Sequence, residues 1–314
     1  MRKPFVETLE SAAEKNPNLF LITGDLGFGV LETFAGRFPR QFLNAGIAEQ
    51  NMTALAAGLA SEGRVVFTYS IANFSALRPL EFVRNDICGH QTNVKVVGLG
   101  GGFGYGALGY SHHALEDLAI MSALPGMTVV TPGDDYEAKE LTRLLVSHAG
   151  PVYMRLDSPS PPASPETKVM LGRARRLREG HDITLIGIGG VLHECSKAAE
   201  LLSDRSIETR VLSMHTLAPL DRAAIREAAE QTGGIITVEE HSLRGGLGTL
   251  VAEVIADEDL RPRAFRRLGV RNPAECVAGS QDYLRRRHGL DSASIASEVE
   301  DLLRGPGGER GRNR

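Results

Sequence analysis

Short runs of apolar, β-branched residues alternate along this chain with longer segments of helical period, as parallel strands do when separated by crossover helices. In the first half the strand-like runs fall at 20–23, 65–68, 94–97 and 128–131, and helical spacing covers 4–16, 47–63, 77–89, 113–123 and 135–147. The stretch LDSPSPPASPET (156–167) then interrupts the alternation, because each of its four prolines removes a backbone donor and disfavours helix in the residue before it. Afterwards the pattern resumes with strands at 183–187, 209–212, 235–238 and 264–268, and helices at 192–202, 221–231 and 248–256. The pattern predicts an α/β protein of two parallel-sheet domains, residues 1–157 and 182–304. A proline-rich linker (158–181) joins them, and a Gly/Arg-rich tail (305–314) without an apolar anchor is expected to be disordered.

Composition narrows the classes of function. With 314 residues and 42% hydrophobic content, each domain is able to bury its own core. A formal net charge of −4 provides none of the basic footprint that a phosphate backbone requires, so nucleic acid is not an expected partner. Residues 1–10 lack the apolar run of a secretory leader, and no window reaches the length of a membrane span. A cytoplasmic location away from membranes is expected. The three cysteines, Cys88, Cys195 and Cys276, are odd in number and far apart, which suits buried thiols better than a disulfide framework or a zinc knuckle.

Three stretches carry candidate chemistry. In NAGIAEQNM (44–52), which runs into the apolar helix TALAAGLASEG, Glu49 falls in the first turn, where free backbone donors and the helix dipole favour a carboxylate. It is either a dipole-compensating surface acid or, given its small apolar neighbours, an acid in a dry pocket able to share a proton with a ligand nitrogen. The glycine-rich loop VGLGGGFGYGALGYSHH (97–113) can approach a ligand closely and ends in His112 and His113, either of which is a candidate proton shuttle. Its G-x-G-x-x-G match (Gly104, Gly106, Gly109) begins well beyond the strand end and lacks the following acid, so it is a poor dinucleotide fingerprint. Finally, TVEEHSLRGGLG (237–248) places Glu239, Glu240 and His241 after a strand and glycines before a helix, whose N-terminus is able to bind an anion.

Four ordered blocks, GIAEQNM, FTYSIANFSALRPLEFVRND, GGGFGYGALGYSHHALEDLAIMSALPGMTVVTPGD and TVEEHSLRGGLG, together resemble the C-terminal half of transketolases. They are also similar to deoxyxylulose-phosphate synthase and to the beta subunits of pyruvate-type dehydrogenases, and the likeness runs to about Leu303. The resemblance implies a thiamine-diphosphate pyrimidine-binding domain followed by a transketolase C-terminal domain. It implies that Glu49 hydrogen-bonds the aminopyrimidine of thiamine diphosphate and exchanges a proton with it. Phe74, or alternatively Tyr69, would supply the aromatic shelf for that ring, with Ile47 and Asp25 beside the cofactor. His112 would face the substrate, and Arg155 or Arg78 would meet an anionic substrate group. His113 would be a cap or core neighbour, and Glu239, Glu240 and His241 would be interface or core residues.

What is missing sets the expected assembly. Transketolases hold the diphosphate and a divalent metal with a G-D-G motif in a separate domain, whereas here Gly24-Asp25 is followed by Leu26 and Gly133-Asp134 by Asp135. No metal ligands are therefore expected in this chain. Mg2+ and the diphosphate would be held by a separate N-terminal, pyrophosphate-domain subunit, in an α2β2 complex. Gly29, Gly100 and Leu108 stand where long transketolases carry a serine, a histidine and an aspartate that grip sugar phosphates, so the substrate differs from the usual pentose phosphates. The expected activity is two-carbon ketol transfer from a ketose to an aldehyde. The alternatives are a beta subunit of a 2-oxo acid dehydrogenase or decarboxylase, a non-catalytic scaffold subunit, and a nucleotide-binding regulator.

Overall fold

The computed structural model describes residues 1–157, 167–273, 275 and 277–304. Cys276, the tail at 305–314 and the linker residues 158–166 lie outside them. The first half runs α1 (Arg2–Ala13), β1 (Leu19–Thr23), α2 (Glu32–Arg37), β2 (Phe42–Asn44), α3 (Glu49–Ser61), β3 (Val65–Ile71) and α4 (Ala72–Leu77). It continues with α5 (Leu80–Phe82), β4 (Val94–Leu99), α6 (Asp117–Ser122), β5 (Thr128–Val130), α7 (Asp135–Ser147) and β6 (Val152–Leu156). The second half runs β7 (Arg175–Arg178), β8 (Ile183–Ile188), α8 (Leu192–Ser203), β9 (Thr209–Ser213), β10 (Thr216–Ala218), α9 (Arg222–Gln231) and β11 (Ile235–Ser242). It closes with α10 (Leu247–Asp257), β12 (Phe265–Val270), α11 (Gln281–Arg287) and α12 (Ser292–Arg304).

Two sheets result, as the alternation predicts. The first has the order β10-β5-β6-β4-β3-β1-β2 and is parallel except for β10, and the second has the order β12-β11-β8-β9-β7 and is parallel except for β7. After β1 the chain pairs β2 on one side and then returns to place β3 on the other. The strand order therefore reverses between β1 and β3, and in open α/β sheets the crevice at the carboxyl ends of such strands is where ligands bind.

Three boundaries depart from the expectations. Arg175–Arg178, inside the expected 158–181 linker, forms β7 and pairs antiparallel with β9, so the second domain begins earlier than 182. Strand β10 leaves the second half and joins the edge of the first sheet beside β5. The single helix expected over 77–89 is divided at Arg78-Pro79, because proline lacks the N–H that would continue α4, and a π-helical turn, Val83–Cys88, follows α5.

The apolar core ignores the domain boundary. Ile22, Met52, Val66, Val96 and Val129 of the first half are continuous with Ile186, Leu212, Met214, Ile225 and Val251 of the second. The other face of the first sheet packs Phe5, Leu9, Phe67, Tyr69, Leu141 and Met154 beneath α1 and α7. At the seam, Asp134 caps α7 by accepting from Glu137 N–H (2.7 Å), and Glu137 accepts in turn from Gly133 N–H (2.7 Å), a reciprocal cap. Arg175 from β7 reaches both carboxylates, at 3.1 Å from Asp134 and 2.9 Å from Glu137, and all three side chains are buried. Replacing Arg175 by Met would strand two buried acids, so a loss of about 3–5 kcal/mol in unfolding free energy is expected in urea titration. An unchanged denaturation midpoint would show that the cluster contributes nothing.

Candidate active site

The 3.6-residue period of α3 explains why its first residue is inside. Glu49, Met52, Thr53, Ala56 and Ala57 form one buried stripe against the sheet, and Glu49 is only 3% exposed. The approach to the helix turns at Gly46, which has φ +73°. Asn44 braces that turn: its Oδ1 accepts from Gly46 N–H (2.9 Å) and Asp25 N–H (3.1 Å), and its Nδ2 donates to Asp25 Oδ1 (3.0 Å). Asp25, itself at φ +59°, thus ties the end of β1 to the start of α3, at the carboxyl-end crevice between β1 and β3.

Around Glu49 stands a row of stacked planar groups. Arg78 Nη1 donates to Glu49 Oε2 at 3.0 Å, and Ser70 Oγ lies 3.5 Å from Oε1. The Arg78 guanidinium lies over the Phe74 ring, 4.3 Å from Cζ to the centroid. Phe74 meets the His112 ring edge-on at 5.1 Å and 64°, and Tyr105 approaches His112 from another side at 6.5 Å. His112 is held by Ser111 Oγ at Nδ1 (3.0 Å), and the Ser111 carbonyl accepts from Asn73 Nδ2 (2.7 Å). Ile47 (77% exposed), Phe28 (79%) and Leu108 (59%) present large apolar side chains to solvent from segments flanking this row.

Glu49, Phe74 and His112 are therefore brought together, while Ile47 and Asp25 lie on the flanking turns. Two expected residues are not at the site. Strand alternation sends Tyr69 to the opposite face of the sheet from Ser70, where it is fully buried and stacks on Phe5 at 6.0 Å and 18°. Burial pushes its hydroxyl up to about 12, and it offers no shelf beside Glu49. Arg155 is also fully buried, ion-paired to Asp117 at 3.3 Å and Asp157 at 3.1 Å, so it cannot meet a substrate anion there. Sequence reasoning missed Ser70, Asn73 and Tyr105. Only Ser70 carried a signal, as the polar residue in register with the α3 face of β3.

The glycine loop approaches protein rather than ligand. A Cβ on Gly104 would sit 2.7 Å from Gly100 Cα, and one on Gly106 would sit 2.6 Å from the Gly279 carbonyl. Gly100, with φ +68°, lies under Tyr105, whose ring would be only 2.3 Å from any Cβ. The loop is gripped from the second domain. Glu240 Oε1 accepts from Phe103 N–H (2.6 Å) and Gln281 Nε2 (2.8 Å), and Oε2 accepts from Arg285 Nε (2.5 Å). His288 stacks on Phe103 (5.2 Å, 10°), and His113 meets the same ring edge-on while its Nε2 faces the Gly106 carbonyl at 3.2 Å. His113 and Glu240 are thus interdomain packing residues.

The anion site anticipated at the start of α10 is filled by the chain itself. Glu239 accepts from Leu247 N–H (2.7 Å) and Gly248 N–H (2.8 Å). Among the described residues no group of His, Cys, Asp and Glu side chains converges as a metal site, and no helix is long and apolar enough to cross a membrane.

A buried helix-first glutamate beside a row of aromatic and imidazole rings, at the crevice of a parallel sheet, defines a site built to hold a flat nitrogenous ring. Residues 1–162 match the transketolase pyrimidine binding domain, and residues 172–295 match the transketolase C-terminal domain. The chain belongs to the transketolase family, as the four sequence blocks anticipate. One of the two chains of the apulose-4-phosphate transketolase of Phocaeicola vulgatus is 38% identical, over 96% of this chain and 97% of that protein. A 1-deoxy-D-xylulose-5-phosphate synthase of Geobacter sulfurreducens is 36% identical, over 96% of this chain but 48% of its own length. Among solved structures, a split gene transketolase described as an inactive beta4 tetramer superposes with a TM-score of 0.85 at 35% identity, covering 96% of this chain and 97% of its own.

Burial pushes the Glu239 carboxyl from its ordinary 4.5 up to about 7, the two backbone donors only partly opposing it. Between those pH values the folded state holds a proton that the unfolded chain has released. The Glu239 contribution to stability is accordingly full below about pH 4.5 and lost as pH rises through 7, by about 3 kcal/mol. Urea titrations across pH 4.5–7 are expected to show a flatter decline for Glu239→Gln than for the native chain, and parallel profiles would refute this coupling.

Proposed function

We propose that this chain is the C-terminal subunit of a two-subunit, thiamine-diphosphate-dependent transketolase-like enzyme that moves a two-carbon ketol unit from a ketose to an aldehyde. The observation that carries the reading is the Glu49–Arg78–Phe74 arrangement, in which a planar N–C–N cation already bonds the buried carboxylate and lies on the aromatic face. An aminopyrimidine asks for the same two contacts, so the residues present fit that half of the cofactor. The names of the relatives point the same way, since the Phocaeicola protein is itself named as a subunit of a transketolase.

When bound, thiamine diphosphate supplies the carbon nucleophile and the electron sink needed to break and remake a carbon–carbon bond. Glu49 accepts a hydrogen bond from the ring nitrogen of the aminopyrimidine and shares a proton with it, and its burial strengthens that interaction. Phe74 offers the flat face. His112, with Nδ1 occupied by Ser111, turns Nε2 to the substrate oxygen and holds or releases a proton there. Nothing in this chain supplies the G-D-G cradle, so the ligands for the diphosphate and Mg2+ come with a pyrophosphate-domain subunit, and the exposed Phe28, Ile47 and Leu108 support a partner surface that covers the crevice. We place the assembled enzyme, an α2β2 complex, in the cytoplasm.

With the partner subunit, cofactor and Mg2+ present, ketol transfer from a panel of ketoses is expected to require both chains. Glu49→Gln is expected to lower kcat by about 10²–10⁴. Carbon dioxide release from 2-oxo acids without ketol transfer would favour a dehydrogenase beta subunit instead, and full activity of this chain alone would overturn the shared site.

A further inference from the structure

Resting on the reading above, we propose that Arg78 is a resident stand-in for the cofactor's aminopyrimidine: its guanidinium closes the Glu49–Phe74 site while the cofactor is absent and leaves when the ring arrives. Local structure makes this placement natural. Phe74 and Arg78 are four residues apart across the end of α4, a spacing that brings a long side chain back over the ring, and Pro79 stops the helix immediately after. One cation thereby makes two contacts at once, 3.0 Å to the Glu49 carboxylate and 4.3 Å above the Phe74 ring.

The partners differ sharply in freedom. Glu49 is 3% exposed and fixed on the buried stripe of α3, whereas the Arg78 side chain is 49% exposed at the rim and hangs on a flexible stem. The arginine is the member able to leave. Chemistry also prevents the two from sharing the site. A guanidinium does not release its proton in a protein, so while Arg78 is docked Glu49 faces a partner with which no proton can be exchanged. The proton sharing assigned to Glu49 needs that place vacated. Until then Arg78 balances a carboxylate that would otherwise be buried without a cation, and it keeps Glu49 and Phe74 in the geometry the ring will use. The cofactor must compete with it, and the apparent affinity falls by the fraction of molecules in which the site is closed.

The test is calorimetric titration of thiamine diphosphate into the assembled two-subunit complex with Mg2+, comparing native protein, Arg78→Met, Arg78→Lys and Glu49→Gln. Arg78→Met is expected to tighten binding about tenfold, and Arg78→Lys, which keeps the charge but not the plane that covers Phe74, to gain less. Labelling of native complex with phenylglyoxal, mapped by mass spectrometry, gives a second readout: Arg78 is expected to react faster once the cofactor is bound. Unchanged or weaker binding in Arg78→Met together with protection of Arg78 by the cofactor, while Glu49→Gln still abolishes binding, would overturn the stand-in and leave the cofactor site intact. If Glu49→Gln bound as well as native protein, the site assignment itself would fall, and the stand-in with it.

Discussion

The loop that carries His112 hangs from a buried run of charge where the two domains meet. Arg155 lies between Asp117 and Asp157, Asp157 accepts from the Gly190 N–H at the start of the second domain's first crossover (2.8 Å), and Glu240 grips Phe103 N–H on one oxygen and Arg285 on the other. Every one of these side chains is buried. Buried ions of this kind contribute little net stability when satisfied and cost several kcal/mol when one partner is lost. Their value is geometric: they leave the glycine loop one register relative to β3 and α4, and so one relation between His112 and Phe74.

Seen from the crevice, the second domain therefore acts on the chemistry without reaching it. Its acids and histidines after β11 read from sequence as interface or core, and the contacts say what they do there: Glu239 closes the α10 N-terminus, Glu240 holds the loop, and His241 is fully buried with Nδ1 facing the Ser242 carbonyl (2.7 Å). The glycines of the loop follow from the same packing. Gly100 is small because Tyr105 occupies the space above it, which gives a local steric reason for the loss of the histidine that long transketolases carry there.

Much of this was legible in the chain's pattern. Long helices and fully buried strands announce themselves by period, and the NAGIAEQNM block located Glu49 because an acid there stands on the same stripe as Met52 and Ala56. Three-residue strands such as β2 and β10 are too short to show a period, and β7, RRLR, reads as polar because its arginines find acids across the seam. Tyr69 and Arg155 were misjudged for a related reason. Which side of a strand a residue faces depends on register, and whether a cation is free depends on acids far away in sequence. Arg78 was visible as a residue but not as a contact, since only the fold sets it against Glu49 across a separation of 29 positions.

The excursion of β10 into the first sheet has a consequence for how the molecule holds together as a covalent object. Thr216–Ala218 pairs with β5 at the sheet edge, and the apolar core beneath runs from Ile22 through to Val251 without a break. The proline-rich connection near residue 160 thus joins two halves that are already interlocked. A protease that cut there would nick the polypeptide without releasing a domain, and a gene truncated at that point would encode a sheet lacking its edge strand, with the hydrogen-bonding groups of β5 open to whatever chain lay nearest.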